Sequence, residues 1–405
     1  MSTAGSAPPK ESKHFSHNFK VLIAVSAVMG LAIAIYENVL PLYLTQIHIS
    51  LQRIGWIFAA AALCTYLFRV GAGAWSDRAG PKVAYGLMLI AQGVASLFTP
   101  LTHSVIGQGI LKCLREPAMR TRETIHSILL YEESDHKFLH IFGRSRGVEF
   151  VFQFLGLMLA AVGVTLMARR GVAHPLEILI LASAALFFGS SFLFIGGFRA
   201  TRRPQTSGGA ITLRDILRPK LNRELWILTV SEFVFTIGLS CSHSFMMPLF
   251  FSGKYGASAS VTLFIMALHR LSIALPMFFT TRLVGERLKR VYVIFVFIEG
   301  VLIAAPGFIP WLVPATGIWL LHDFFGAGIW LPAQQALIQR HCDPAVRGKQ
   351  VGIVLAIGFL GTIAGNILAG YLAGMKSVEP STAISLPFIV GGALVAVTAF
   401  FVARL

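Results

Sequence analysis

Six fully charged side chains lie in the stretch LKCLREPAMRTRETIH, Leu111 to His126. The flanking segments, VAYGLMLIAQGVASLF and VFQFLGLMLAAVGVTLMA, contain no charged residue. On a helix, residues that recur at three- and four-residue steps share one face. Here they are Lys112, Arg115, Glu116, Met119, Arg122, Glu123 and His126. A lone charge at the bilayer centre costs at least ~3 kcal/mol, so this face must point into a helix bundle or a water-filled cavity.

The charges of this stretch can neutralise one another or a charge on a neighbouring helix. Lys112 and Glu116 have the i,i+4 spacing of an ionic pair. Arg115 can turn either to Glu116 or to Glu37 of the apolar segment YENVLPLYL. Two interpretations therefore stand for Lys112 and Arg115: they line a solute cavity, or they form a purely structural network. Gln153 is a further candidate lining residue.

A second group of ionisable and amide side chains is spread through apolar segments later in the chain. Its members are Glu232, Cys241, His243, His269, Arg270, Glu299, His322, Asp323, Gln334, Gln335 and Asn366. Histidines and carboxylates inside a membrane are candidate proton carriers or ligands. The pairs Cys241-x-His243 and His322-Asp323 could bind a transition metal if the fold brings them together. Alternatively these histidines are simply hydrogen-bonded, and the sequence leaves the metal ligands unknown.

Long apolar runs must position these residues. The chain is 55% hydrophobic and 13% charged with a mean hydropathy of +0.72, whereas a soluble domain carries roughly 25% charged residues. A membrane-spanning helix needs about 20 predominantly apolar residues. Such runs are Lys20–Leu44, Arg53–Trp75, Val83–Leu101, His103–Tyr131, Phe138–Ala168, Pro175–Phe198, Leu225–Phe251, Val261–Val284, Val291–Ile309, Trp311–Ala336, Val351–Ala373 and Ser385–Val402. We therefore predict an all-α polytopic membrane protein with twelve transmembrane helices.

The distribution of basic residues predicts the orientation in the membrane. Twenty Lys and Arg residues fall in loops on one side, and five fall on the other, namely Arg53, Arg169, Arg170, Lys254 and Lys376. The positive-inside rule then places both termini in the cytoplasm. The net charge of +16 is thus an orientation signal, and we expect a lipid bilayer rather than nucleic acid as the partner. Residues 1–19 read as a disordered cytoplasmic tail without a secretory signal peptide.

Other classes of protein are disfavoured. The four cysteines are scattered, so neither a disulfide framework nor a structural zinc site is expected. The chain contains no H-E-x-x-H motif and no Walker motif, so we expect neither an enzyme nor ATP-driven transport. No cofactor is predicted.

The chain divides into two halves with similar sequence features at corresponding positions. A basic loop, RATRRPQTSGGAITLRDILRPKLNR, separates the sixth and seventh runs. GAWSDRAGPKVAYGL and RLVGERLKRVYVIFV follow the second run of each half, and each fourth run contains a proline, in LREPAM and IWLPAQ. We predict an N-terminal six-helix bundle (20–198), a basic cytoplasmic linker (199–222) and a C-terminal six-helix bundle (223–405). Duplication of this kind is typical of secondary transporters.

The stretch GAGAWSDRAGPK, Gly71 to Lys82, resembles the signature loop of the major facilitator superfamily. Five residues fit the pattern, namely Gly73, Asp77, Arg78, Gly80 and Lys82, while Pro81 stands where a basic residue is usual. A degenerate second copy retains Glu286 and Arg287 but lacks the second glycine. The resemblance implies a monomeric transporter that works by alternating access. These residues would form an ionic lock that holds in one state and breaks in the other.

Several substrates are compatible with this resemblance. Within the superfamily, the chain loosely resembles proteins of bacterial magnetosome membranes, which implies transport of iron or an iron chelate in the inner membrane or a membrane derived from it. The alternatives are an organic-anion or drug exporter, or a non-transporting scaffold or receptor with the same fold. The candidate cavity residues are Lys112, Arg115, Glu116, Gln153, His243, His322, Gln334 and Asn366. The candidate proton carriers, for symport or antiport, are Glu37, Glu232, Glu299 and Asp323.

Overall fold

A computed structural model of the chain describes residues 16–132, 138–199, 220–277, 287–343 and 347–405. Within these ranges all the regular structure is helical. The α-helices are α1 (His17–Gln46), α2 (Leu51–Ala79), α3 (Pro81–Phe98), α4 (Val105–Glu132), α5 (Phe138–Arg169), α6 (Pro175–Gly197), α7 (Arg223–His243), α8 (Met246–Tyr255), α9 (Ala259–Met277), α10 (Leu288–Ala304), α11 (Leu312–Phe325), α12 (Ala327–His341), α13 (Arg347–Ala373) and α14 (Pro380–Val402). Most of the predicted tail and linker lies outside the described residues.

Ten helical stretches in the described part of the chain are long and apolar enough to cross a membrane. They lie in α1, α2, α3, α5, α6, α7, α9, α10, α13 and α14, and each corresponds to a predicted span. The other two predicted spans are the charged helix α4 and the pair α11 and α12. The all-α polytopic architecture is therefore confirmed, and the count of twelve is consistent with it.

Local sequence signals explain where several helices begin and end. The Ser16 hydroxyl accepts a hydrogen bond from the Phe19 amide, and the Asn222 side chain accepts one from Leu225, so both residues cap the helix that follows. Pro175 lies in the first turn of α6, where its missing amide proton costs nothing. These signals place polar residues and prolines at the ends of helices and leave the interiors for packing.

Two predicted spans are interrupted in the structure. α7 ends at His243 and α8 begins at Met246, with Ser244 between them at φ −49° and ψ −99°. α11 ends at Phe325 and α12 begins at Ala327, with Gly326 at φ −92° and ψ −96°. These are the seventh and tenth predicted spans. The sequence predicted continuous runs at both places, so the breaks are findings of the structure.

The two halves of the chain meet along two pairs of helices, α2 with α13 and α5 with α9. We call the membrane face at which α1 begins the terminal face, and the opposite one the far face. Near the far face, Gln52 of α2 donates a hydrogen bond to the Gly374 carbonyl just after α13, at 3.3 Å. There too, the hydroxyls of Thr165 in α5 and Ser260 in α9 are 2.6 Å apart. These contacts hold the halves together on the far side.

Candidate functional site

A cavity of about 560 Å³ lies between helices of both halves. α1, α2, α4 and α5 line it on one side, and α7, α9 and α13 line it on the other. Its charged lining residues are Glu37, Lys112, Glu116, Arg120, Glu123, Arg146, Glu149 and Arg270. These are four carboxylates and four basic groups, so the lining has little net charge. Of the other predicted residues, Gln153, His243 and Asn366 also line it.

Glu37 of α1 and the face of α4 form an ionic network beside the cavity. Lys112 Nζ lies 3.0 Å from Glu37 Oε2 and 2.8 Å from Glu116 Oε2. Arg115 also pairs with Glu37, and its guanidinium lies 3.7 Å from the centre of the Tyr36 ring. Arg115 is 0% exposed, so it stands behind the cavity wall, whereas Lys112 and Glu116 reach the cavity. The sequence allowed either Glu116 or Glu37 as the partner of Arg115, and in the structure Arg115 pairs with Glu37.

Towards the terminal face, the charges continue in pairs. Arg120 lies 3.2 Å from Glu116 and 3.2 Å from Glu123. In α5, Arg146 lies 2.9 Å from Glu149. Each basic group named here that lines the first half of the cavity is therefore neutralised by a neighbouring carboxylate, on the same helix or on α1. An anion would have to compete with these carboxylates for the basic groups.

His126 of α4 anchors a buried polar cluster behind the cavity. Its ring nitrogens lie 3.1 Å from the Ser26 hydroxyl, 3.1 Å from the Tyr85 hydroxyl and 3.2 Å from the Ser145 hydroxyl. Ser145 belongs to the sequence GRSRG, which matches the G-x-S-x-G pattern of serine hydrolases. It lies inside a long helix rather than at a strand-to-helix turn, so the pattern lacks the structural context of a nucleophile.

Two carboxylates of the second half are held by neutral donors. The Gln334 side-chain amide donates to Glu232 and lies 3.3 Å from the Tyr292 hydroxyl. The Trp330 indole donates to Glu299 Oε2 at 2.7 Å. Sequence reasoning missed Trp330 and Tyr292 as partners. No signal in the sequence links these aromatic residues to carboxylates on other helices.

The breaks in the seventh and tenth predicted spans bring three histidines together. His243 ends α7, His322 lies in the last turn of α11, and His269 comes from α9. A ring nitrogen of each lies within 4.8 Å of the others. Asp323 contacts His269, and its Oδ2 lies 3.4 Å from His322 Nε2. Cys241, which sequence grouped with His243 as a metal ligand, is buried outside this cluster.

The predicted ionic lock lies only partly within the described residues. Gly73, Asp77 and Arg78 belong to the end of α2, but the side chains of residues 69–78 are outside the description, as are residue 286 and the side chain of Gln335. Gly80 precedes α3 with φ +81°, a left-handed conformation that favours glycine. Lys82 follows in the first turn of α3, and Arg287 precedes α10. The lock therefore stays a prediction.

Comparison with known proteins identifies the fold. No family model matches the sequence, and no curated protein matches it. Among solved structures, a variant of the nucleoside transporter NupG has a TM-score of 0.80 at 13% identity, covering 95% of this chain and 99% of that one. The human organic anion transporter MFSD10 has a TM-score of 0.66 at 16% identity, covering 98% and 100%.

A third solved structure has the same fold. A bacterial homologue of the iron transporter ferroportin, in an inward-facing state, has a TM-score of 0.74 at 13% identity, covering 95% of this chain and 98% of that one. All three are membrane transporters rather than enzymes. The chain thus has the fold of the major facilitator superfamily, an all-α membrane fold, as its signature-like loop predicted.

Proposed function

We propose that this chain is a secondary transporter that moves a small solute across a membrane by alternating access. The observation that carries the proposal is the cavity of about 560 Å³ between the halves, with ionisable side chains from both. In transporters built from inverted repeats, substrate sites lie near the bilayer midplane between the repeats. The contacts of Gln52 with Gly374 and of Thr165 with Ser260 support a state that is closed at the far face.

The relatives by fold do not select the solute. The three named above transport nucleosides, organic anions and, for the protein whose homologue was solved, iron. The choice must rest on the residues of this cavity. An organic anion is the weaker candidate, because Lys112 and Arg115 are already paired with Glu37. Iron or an iron chelate is favoured by the cluster of three histidines. Drug export remains an alternative, as does a scaffold role.

We also propose that transport is coupled to protons. The four candidate proton carriers differ in which side chains their carboxylates contact. Glu37 pairs with two cations, and Asp323 contacts His269, so protonation of either would disrupt a charged or polarised contact. Glu232 and Glu299 accept hydrogen bonds from neutral side chains. A carboxyl group held by neutral donors can gain and lose a proton without leaving a buried cation unpaired. Glu299 and Glu232 are therefore our preferred carriers.

The orientation and the oligomeric state are proposals from the sequence. The bias of basic loops supports cytoplasmic termini. We place the protein in a bacterial inner membrane, or in a magnetosome membrane derived from it, as a monomer. On this orientation the cavity opens to the cytoplasm. The lock residues around Asp77 would then close the cytoplasmic face in the opposite state.

The test is a reversible cross-link across the far face in reconstituted proteoliposomes. Solutes are first screened for flux: nucleosides, organic anions, Fe(II), Fe(III)-citrate and dyes, with and without a pH gradient. In the double variant Gln52→Cys with Gly374→Cys, we expect an oxidant to abolish flux of the transported solute and a reductant to restore it. Each single variant is the matched control and keeps its flux under oxidant.

Two results would contradict the proposal. Absence of flux for every solute and gradient would favour the scaffold. Full flux after quantitative cross-linking would show that the far face does not open during the cycle.

A further inference from the structure

The histidine cluster lies at the C-terminal ends of α7 and α11. His243 is the last residue of α7, and His322 and Asp323 lie in the last turn of α11. The C-terminal end of a helix carries a partial negative charge and unsatisfied carbonyls, which favour cations. The seventh and tenth predicted spans also occupy corresponding positions in the two three-span repeats of the second half. Interrupted spans in corresponding positions point to a binding site in secondary transporters.

The ligand atoms of the three histidines lie within 4.8 Å of one another, and Asp323 contacts two of these rings, His269 and His322. His243 Nε2 lies 2.7 Å from His322 Nε2, and His322 Nε2 lies 3.4 Å from Asp323 Oδ2. The His269 ring stacks on Trp319 with centroids 4.3 Å apart, which fixes its plane. Two nitrogens bound to one tetrahedral metal ion at about 2.0–2.1 Å lie about 3.4 Å apart. An entering ion therefore needs to separate His243 and His322 by less than ~1 Å.

The hydrogen bonds around the cluster leave lone pairs pointing inwards. His322 Nδ1 contacts the Trp319 carbonyl, which can only accept, so the proton is on Nδ1. The Ser242 hydroxyl lies 2.8 Å from His243 Nδ1, and His243 Nε2 lies 2.7 Å from His322 Nε2, close enough to share one proton. The lone pair of His322 Nε2 therefore points into the cluster, and a tautomer shift that moves the His243 proton to Nδ1 frees a second lone pair. A backbone or side-chain partner on the second ring nitrogen is the usual second shell of a metal-binding histidine.

One buried ring nitrogen in the cluster lacks a hydrogen bond. Within the described part of the chain, Nδ1 of His269 has no hydrogen-bond partner, whereas its Nε2 contacts Asp323 Oδ2. A buried polar atom without a partner is costly, and a cation bound to His269 would compensate for it.

The charges near the cluster favour a divalent cation. The ligand atoms of Glu299, His322 and Asp323 also lie within 4.8 Å of one another. Glu299 and Asp323 supply two negative charges when ionised, and Arg270, which lines the adjacent cavity, offsets one of them. Imidazole nitrogens with one carboxylate suit first-row transition metals such as zinc, iron and nickel. His243 is half-buried and lines the cavity, so it provides the route of entry.

We propose that His243, His269, His322 and Asp323 bind a divalent first-row transition-metal cation, and that this cation is the transported solute. The proposal rests on the transport function proposed above and names its substrate class.

The test begins with Co²⁺ binding to the full-length protein in detergent. We expect one Co²⁺ per chain with the visible d–d absorption of a four-coordinate site and no sulfur charge-transfer band, so Cys241→Ser leaves the spectrum unchanged. Ser242→Ala, which removes the partner of a ring nitrogen, should weaken binding by about 10–100-fold. His322→Gln should weaken it more than that. His174→Gln is the control, because the His174 side chain is 64% exposed and is not part of the cluster.

Flux and folding are measured on the same variants. Zn²⁺ uptake into proteoliposomes should be lost in His322→Gln and retained in His174→Gln. A variant counts only if it is monodisperse and melts within a few degrees of the unsubstituted protein without metal. His269→Gln serves as a second variant if His322→Gln misfolds.

The possible outcomes distinguish failure of the metal-site proposal from failure of the proposed transport function. If Co²⁺ gives no d–d band, or binds equally to His322→Gln, the site is overturned, although transport of another solute could stand. If Co²⁺ binds but Zn²⁺ moves no faster than in protein-free vesicles while another solute does, the role of the metal as solute is overturned. If nothing moves at all, the proposed function fails.

Discussion

Replacing Glu37 by Gln tests whether the buried ionic network stabilises the first half of the protein. Glu37 is the carboxylate that pairs with Arg115, whose Nε and Nη2 atoms have no hydrogen-bond partner within the described residues. Lys112 keeps Glu116 at 2.8 Å after the substitution, but Arg115 loses its negatively charged partner and keeps the Tyr36 and Phe187 rings. Removing one partner of a buried ion pair typically costs about 3–5 kcal/mol. We expect a loss near the lower end, because the glutamine oxygen can still accept one hydrogen bond.

The assay is thermal unfolding followed with a thiol-reactive dye, since the Cys241 and Cys342 side chains are buried in the folded protein. Glu177→Gln is the matched control. It removes a partly exposed pair with His174 and should cost at most about 1 kcal/mol.

A second substitution isolates the uncompensated charge as the cause. Adding Arg115→Met to Glu37→Gln removes the unpaired cation and fills its space with an apolar side chain. We expect the double variant to regain most of the lost stability, because replacing a whole buried pair by apolar groups is often neutral. A double variant no more stable than Glu37→Gln would refute the reasoning, and so would a Glu37→Gln protein that melts like the Glu177→Gln control.

Two further predictions concern closure of the far face and the polar cluster of the first half. A Cβ at Gly370 would lie 2.8 Å from the Leu51 carbonyl across the halves, so Gly370→Leu should hold the far face open and sharply reduce flux. Gly189→Leu, at a position with open space, should leave flux unchanged, and equal flux in both variants would contradict the prediction. His126→Leu removes the ring nitrogens that the buried hydroxyls of Tyr85 and Ser145 contact, leaves Ser145 only the Ser26 hydroxyl, and should cost about 1–3 kcal/mol in a thermal melt. If it melts like the exposed-site control His174→Leu, the cluster is not stabilising.

The spans themselves could be predicted from the sequence, because lipid selects for apolar length. Runs of about 20 apolar residues leave few alternatives to a membrane helix. The charged helix α4 could be recognised from its repeating face and its position between apolar runs, although it falls outside the ten stretches that satisfy length and hydropathy. Helical periodicity put Lys112 and Glu116 on one face, and they are paired in the structure.

The breaks at Ser244 and Gly326 could not be predicted in the same way. The sequences around them, CSHSFMMPLF and HDFFGAGIWL, are mostly apolar and continue the runs on either side. Pro248 lies four residues after Ser244 and cannot donate to the Ser244 carbonyl, so it favours a break there, whereas no proline has this spacing from Gly326. Proline also occurs inside the uninterrupted helices α1 and α14, so only the tertiary structure shows that both spans are interrupted.

Sequence alone determined which residues of this protein are ionic in a membrane and which helix carries each of them. It also indicated which side chains on one helix can pair, because residues three or four positions apart are neighbours on a helix surface. The tertiary structure alone decided that Arg115 turns to Glu37, that Trp330 holds Glu299, and that His243, His269 and His322 meet at one point. Such contacts join helices far apart in the chain, and their rotation and depth follow from the packing of whole helices. No local pattern of residues contains that information.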